Sequence, residues 1–108
     1  MQDQINTLIE DIKEDYAMWT TKSDGEITPW LEQMIKEFNE GLTFKAGKKY
    51  IKIMSKGSVW GFVVNVDNDN QFRKGDILKP AGWAAPTRNF ARGNIISGGY
   101  KISWTGTA

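Results

Sequence analysis

Lys48-Lys49-Tyr50-Ile51-Lys52-Ile53-Met54-Ser55, then Lys56-Gly57, then Val59-Trp60-Gly61-Phe62-Val63-Val64-Asn65-Val66 decide the fold of this chain. In the first run Ile51 and Ile53 share one face, while Tyr50, Lys52 and Met54 share the other. That alternation is the signature of a half-buried strand. Lys56-Gly57 is a turn, and the second run sets Trp60, Phe62, Val64 and Val66 on one side. The pair reads as an antiparallel β-hairpin.

Upstream the hydrophobic period is different. Ile5, Leu8, Ile9, Ile12, Tyr16 and Trp19 fall at helical spacing from about Asp3 to Thr20. The polar run Thr20 to Gly25 reads as a loop, with Asp24-Gly25 as its turn. Thr28-Pro29 then restarts a helix, because Thr caps well and Pro at the first helical position forfeits no needed hydrogen bond. Leu31, Met34, Ile35, Phe38 and Leu42 repeat the stripe, and Gly41 ends it. Residues 1–43 are therefore expected to form an αα-hairpin.

Downstream of the β-hairpin, Asp67-Asn68-Asp69-Asn70 is a polar turn and Asp76 to Lys79 a short third strand ended by Pro80. Pro80 to Pro86 holds too much proline and too few donors for a central strand. Ala91 to Ser97 and Tyr100 to Thr105, turned by Gly98-Gly99, complete five short strands within 44–108. Short strands with tight turns suggest a small closed or half-closed barrel, SH3-like or OB-like, because closure removes exposed edges. The expected fold class is α+β: the helical hairpin followed by a small five-stranded SH3-like antiparallel β-barrel. The hairpin's stripes must be buried on that barrel or against the same hairpin of another subunit.

Charge divides at the same boundary. Up to Thr43 ten acids face three lysines, a net −7, while from Phe44 onward eleven bases face three aspartates, a net +8. The whole chain carries only +1. Such a split marks an anion-binding surface or two segments that attract each other.

Composition removes several functions. The 108 residues suffice for one domain with a core, and the chain has no Cys and no His. Disulfides, thiolate chemistry and imidazole bases or ligands are thus excluded. The few acids of the β region lie mostly in a turn, and no Lys or Tyr is paired with an orienting group, so a non-enzymatic protein without metal or cofactor is expected. Met1 to Glu10 lacks the apolar core of a signal peptide, and no stretch is long enough to span a membrane.

Motif-like stretches have bland readings. Asp24 to Thr28 matches the centre of a calcium loop, but Thr20, Lys22 and Leu31 stand where oxygen ligands belong. Ala46-Gly47-Lys48-Lys49 precedes a strand, whereas a phosphate loop opens a helix. Lys74-Gly75-Asp76-Ile77-Leu78 reads as an architectural turn into a strand. The stretch from Trp83 to Asn94 is less ordinary. Trp83, Arg88, Phe90 and Arg92 together have the chemistry of a recognition surface, since rings stack and guanidinium binds phosphate or carboxylate. For Trp83 and Phe90 the favoured reading is that they plug an open barrel end. For Arg88 and Arg92, pairing with the acidic helices and contact with an outside partner stand level.

Phe72-Arg73-Lys74-Gly75-Asp76-Ile77-Leu78, Trp83, Ala85-Pro86, Asn89-Phe90-Ala91-Arg92-Gly93-Asn94 and Trp104-Thr105-Gly106 together resemble short uncharacterised proteins of marine T4-like tailed phages and related marine metagenomic sequences. The resemblance covers about a third of the chain, with Phe-Ala-Arg-Gly-Asn its most distinctive part. It implies a viral or marine origin and expression in the cytoplasm of a bacterial host. It carries no catalytic or binding residue.

The function expected from these features is a phage-type binding or assembly module acting through protein–protein contacts, homo-oligomeric, with Trp83, Arg88, Phe90 and Arg92 at its binding site and a phage or host protein as partner. The alternative is single-stranded nucleic-acid binding by the basic, aromatic-rich β face, which holds nine of the thirteen aromatics. That alternative requires positive charge the chain does not neutralise itself.

Overall fold

The computed structural model describes residues 2–21 and 28–107. The turn expected at Asp24-Gly25 and the calcium-like centre up to Ile27 lie outside the described residues. Helix α1 spans Gln2–Thr21 and α2 spans Pro29–Gly41. The expected cap forms: Thr28 Oγ1 accepts the Leu31 N–H at 3.2 Å, with Pro29 opening the helix. Gly41 ends α2, and its carbonyl accepts the Lys56 N–H at 3.0 Å. A Cβ there would meet Lys56 Cγ at 2.7 Å, so the close approach of the β-turn explains this glycine.

Leu42 is already extended and opens β1 (Leu42–Ala46), followed by β2 (Tyr50–Ser55), β3 (Ser58–Val64) and β4 (Ile77–Leu78). These form one antiparallel sheet in the order β1-β2-β3-β4. The hairpin read from the sequence is its centre. Lys56 and Gly57 both take positive φ, 47° and 80°, the geometry whose twist suits a two-residue β-hairpin. Gly47-Lys48-Lys49 joins two strands, with the Gly47 N–H on the Tyr50 carbonyl at 2.8 Å, so it has no helix N-terminus to offer a phosphate.

One detail of the hairpin differs from its alternation. Ile53 pairs with Gly61 but Met54 pairs with Val59, so Trp60 is the extra residue of a β-bulge. The bulge reverses the side-chain parity along β3. Trp60 and Val63 join the core beneath the helices, whereas Val59, Phe62, Val64 and Val66 face the other way. Trp60 is therefore not on the side of Phe62 and Val64, and its Nε1–H reaches the Ser103 carbonyl at 3.0 Å.

The five-stranded closed barrel is not what the described residues form. The Ala91–Ser97 and Tyr100–Thr105 strands shrink to two small ribbons, β5 (Gly93–Asn94) with β6 (Gly99–Tyr100) and β7 (Ile102–Ser103) with β8 (Gly106–Thr107). Asn94 explains the shortening. Its Oδ1 accepts the N–H groups of Ile96 at 2.8 Å and Ser97 at 3.0 Å, offering those amides a turn in place of a ladder. The fold is α+β: two helices, a four-stranded antiparallel sheet and the small ribbons.

The helical hairpin packs on one face of the sheet. Ile5, Leu8, Ile12, Tyr16 and Phe38 form one core with Ile51, Ile53, Trp60, Val63 and Ile77. Tyr16 and Phe38 stack at 4.1 Å between centroids, and Trp104 meets Tyr16 edge-on at 5.0 Å. Asp11 accepts the Tyr100 hydroxyl, and Asp15 accepts the Trp104 N–H at 2.9 Å. The α1 stripe, however, outruns the sheet. Ile5, Leu8 and Ile12 are at most 1% exposed, yet Trp19 on the same stripe is 60% exposed, with its ring tilted against that of Trp104 at 5.2 Å. Met18, and Trp30 in the first turn of α2, are also in solvent. A 20-residue helix is about 30 Å long, longer than strands of five to seven residues, and the molecule measures 48 × 25 × 24 Å.

Candidate functional site

The face of the sheet away from the helices is partly roofed by two loops. Their fastening is Asp69. Its Oδ1 accepts the N–H groups of Gln71 at 2.9 Å and Phe72 at 3.0 Å, closing the turn that its residue type favours. Both carboxylate oxygens then take Arg88 Nη2, at 2.8 and 2.9 Å, while Arg88 Nη1 donates to the Tyr50 hydroxyl. The guanidinium lies over the Phe72 ring at 4.9 Å, and Gln71 Nε2 donates to the Arg88 carbonyl at 2.8 Å. Arg88 holds the Asp69 carboxyl far below the ordinary carboxylate range, helped by the two backbone amides. The ion pair in turn raises the Arg88 guanidinium above its usual value.

The four residues expected to form a binding loop thus separate. Arg88 is turned inward, and Gln71, Phe72, Tyr50 and Asp69 surround it. Trp83 and Phe90 do not plug a barrel end. They are 57% and 54% exposed, because Phe62, Phe72 and Leu78 already fill the space on this face. Each carries a cation on one ring face instead: Lys52 Nζ lies 3.7 Å from the Trp83 centroid, and the Arg92 guanidinium 4.0 Å from that of Phe90. Arg92 is anchored by its backbone N–H on the Ile77 carbonyl at 2.7 Å, and its Nε is buried without a hydrogen-bond partner.

Neither arginine reaches the acidic helices. Among the described residues the ion pairs are Lys13 with Glu10 inside α1, and Lys49 and Arg88 with Asp69. The helix acids that do meet the β region, Asp11 and Asp15, are met by a tyrosine hydroxyl and a backbone amide, which are neutral donors. Among the described residues, therefore, no helix acid pairs directly with a base of the β half.

Much of that charge gathers at one place. Lys45 on β1 lies directly opposite Lys52 on β2, and Lys52 directly opposite Phe62 on β3. The β1–β2 turn adds Lys48 and Lys49. Together with Tyr50 these residues line a groove of about 280 Å³, closed on one side by Ala84 of the loop that carries Trp83. The sequence reading does not point to this groove, because it sets Leu42 on the stripe of the second helix and has no strand before Lys48. Leu42 and Phe44 alternating with Thr43 and Lys45 is the signal that would have shown it. Nothing in the local sequence signals the Asp69–Arg88 pair, whose members lie 19 residues apart.

The Gly75–Leu78 stretch proves architectural. Asp76 is buried and accepts the Arg73 N–H at 2.9 Å and the Asn94 side-chain amide at 2.8 Å. Gly75 holds φ at 92°, and a Cβ there would meet Ile96 Cγ1 at 2.8 Å. No family model matches this chain, and no curated protein or solved structure matches it.

Proposed function

We propose that this protein is a non-enzymatic binding and assembly module that pairs with a second copy of itself through the free end of its helical hairpin. The observation that carries this reading is the exposure of Trp19, where the α1 stripe continues past the sheet, together with that of Met18 of α1 and Trp30 of α2: Met18, Trp19 and Trp30 are respectively 64%, 60% and 70% exposed. Two tryptophans in solvent at one end of a small domain are the kind of rigid aromatic anchor that protein interfaces use. A second hairpin laid against the first would cover the same patch on both copies, closing a two-fold dimer. Exposed Glu14, Glu32 and Glu37 lie off the stripe. The copies therefore repel weakly through their acids, and added salt strengthens the pairing by screening that repulsion.

The remaining features support the same class of protein. Phe90 and Arg92 are the contacts we assign to a further protein partner, with Arg88 holding their loop in place. The hydrogen bonds Arg92 to Ile77 and Ile95 to Gly75 continue the sheet beyond β4. On that basis we read it as a half-open small barrel of SH3-like kind. The likeness to short proteins of marine tailed phages gives the proposal a setting, the cytoplasm of an infected bacterium. Light scattering coupled to size exclusion tests the pairing. A dimer that persists at high salt and dissociates in Trp19→Ser/Trp30→Ser is the expected result, and a wild-type monomer at every concentration would reject it.

A further inference from the structure

The lysine groove lies on the sheet, away from the hairpin end, and has chemistry of its own. Lys45 and Lys52 face each other across two antiparallel strands, where like charges destabilise the sheet. Lys48 and Lys49 bring two more ammonium groups to the same concavity. Among the described residues the carboxylate in ion-pair contact with any of the four is Asp69, which stands 3.9 Å from Lys49 and gives both oxygens to Arg88 at shorter range. Four cations therefore converge with almost no internal counter-charge, an arrangement that an external anion completes.

The floor and wall of the groove narrow the choice of anion. Tyr50 and Phe62 line it with aromatic surface. At its edge Trp83 is steadied from one side by Lys52, while more than half of its side chain stays in solvent. The loop that carries Trp83 is tied to the sheet through Arg88, so the indole is held in place before any ligand arrives. All four cations are lysines, compact point charges suited to a run of phosphates, where recognition of a single phosphate or carboxylate favours an arginine fork. An exposed indole beside a lysine track is the pairing of base stacking with backbone neutralisation found in single-strand binders.

We propose that this groove binds single-stranded nucleic acid, with Lys45, Lys48, Lys49 and Lys52 on successive phosphates and a base stacked on Trp83. A duplex keeps its bases in its own stack and offers none to the indole. Binding is sequence-tolerant, because every base has a face to stack.

Fluorescence anisotropy of a labelled oligonucleotide with the full chain tests this. Four phosphate contacts on a single strand give a slope of about −3 in log affinity against log salt. Trp83→Ala weakens binding by roughly five- to 150-fold, the loss associated with one stacked base. Lys45→Glu/Lys52→Glu weakens it further, whereas Lys101→Glu, outside the groove, and Trp19→Ser/Trp30→Ser leave it unchanged. Circular dichroism on each variant separates loss of binding from loss of fold, and Trp83, being exposed, serves as the variant that folds. Duplex DNA or heparin binding as well as the single strand, with no dependence on Trp83, would make the groove a general anion surface and overturn the proposal. No anisotropy change at low salt would overturn it too.

Discussion

Asp69 and Arg88 are joined by a fork in which one guanidinium nitrogen touches both carboxylate oxygens, at 2.8 and 2.9 Å. The pair ties three segments together: the turn around Gln71 and Phe72, strand β2 through Tyr50, and the loop that carries Trp83. Removing Arg88 leaves a carboxylate whose side chain is 1% exposed and has lost its closer cation, keeping Lys49 at 3.9 Å. Arg88→Ala should therefore lower the thermal midpoint by roughly 5–10 °C, while Arg92→Ala, which breaks no ion pair, should change it far less. Arg88→Lys should not rescue, because an ammonium cannot serve Asp69 and Tyr50 in the same geometry. Differential scanning calorimetry of the three variants checks the order.

The same pair dictates how the protein responds to acid. The folded-state pKa of Asp69 is depressed, so its contribution is complete above the unfolded carboxylate value of about 3.9 and is lost as pH falls below it. Urea unfolding at stepped pH should show wild-type stability declining through this acid range. Asp69→Asn should be less stable near neutrality and should show a shallower decline below about pH 4. A wild-type and variant pair with parallel acid limbs would contradict the assignment.

Alkali acts on a different contact. Burial, with the hydrogen bond to Asp11 and its negative charge, pushes the Tyr100 hydroxyl up to about 12. The unfolded tyrosine ionises near 10, so Tyr100 supports the fold fully below that pH and its support disappears as pH rises through the folded value. Ultraviolet titration of the phenolate band should show a late-ionising tyrosine that is absent in Tyr100→Phe. The same variant should lose less stability between about pH 10 and 12 than the wild type does.

How far the sequence could be read depends on the range of the forces concerned. Both helices, the Thr28 cap and the Lys56-Gly57 turn were legible because they rest on period and on residues within a few positions. The shortness of the last strands was not, because Asn94 diverts the amides of Ile96 and Ser97 by a side-chain contact that competes with the ladder. The candidate loop was found by composition, but composition could not sort its members. Arg88 is committed by an aspartate 19 positions away, and Trp83 by Lys52 of β2, a contact between distant parts of the chain that the alternation of β2 does not reveal.

The bulge at Trp60 carries its own prediction, since it turns the largest side chain of β3 into the helix-facing core. Trp60→Ala should cost about 3–5 kcal/mol by emptying that space. Trp60→Phe keeps most of the ring but strands the Ser103 carbonyl, and should cost about 1–2 kcal/mol. Chemical denaturation curves with unchanged slopes would give both numbers directly.

Lys45 and Lys52 offer the sharpest separation of stability from function. Facing each other across β1 and β2, they oppose the sheet they belong to. Lys45→Glu turns a repulsive cross-strand pair into an attractive one and should raise stability by about 0.2–1 kcal/mol, more at low salt than at high salt. A residue retained only for the fold would show no cost from that gain. If the groove works as a phosphate track, the same substitution should weaken oligonucleotide binding and reduce the salt slope by more than the single contact removed, because the new carboxylate also neutralises Lys52. Stability rising while binding falls, measured on one protein preparation, identifies Lys45 as a ligand-facing residue; stability and binding moving together would mean that its effect on the ligand comes through the sheet.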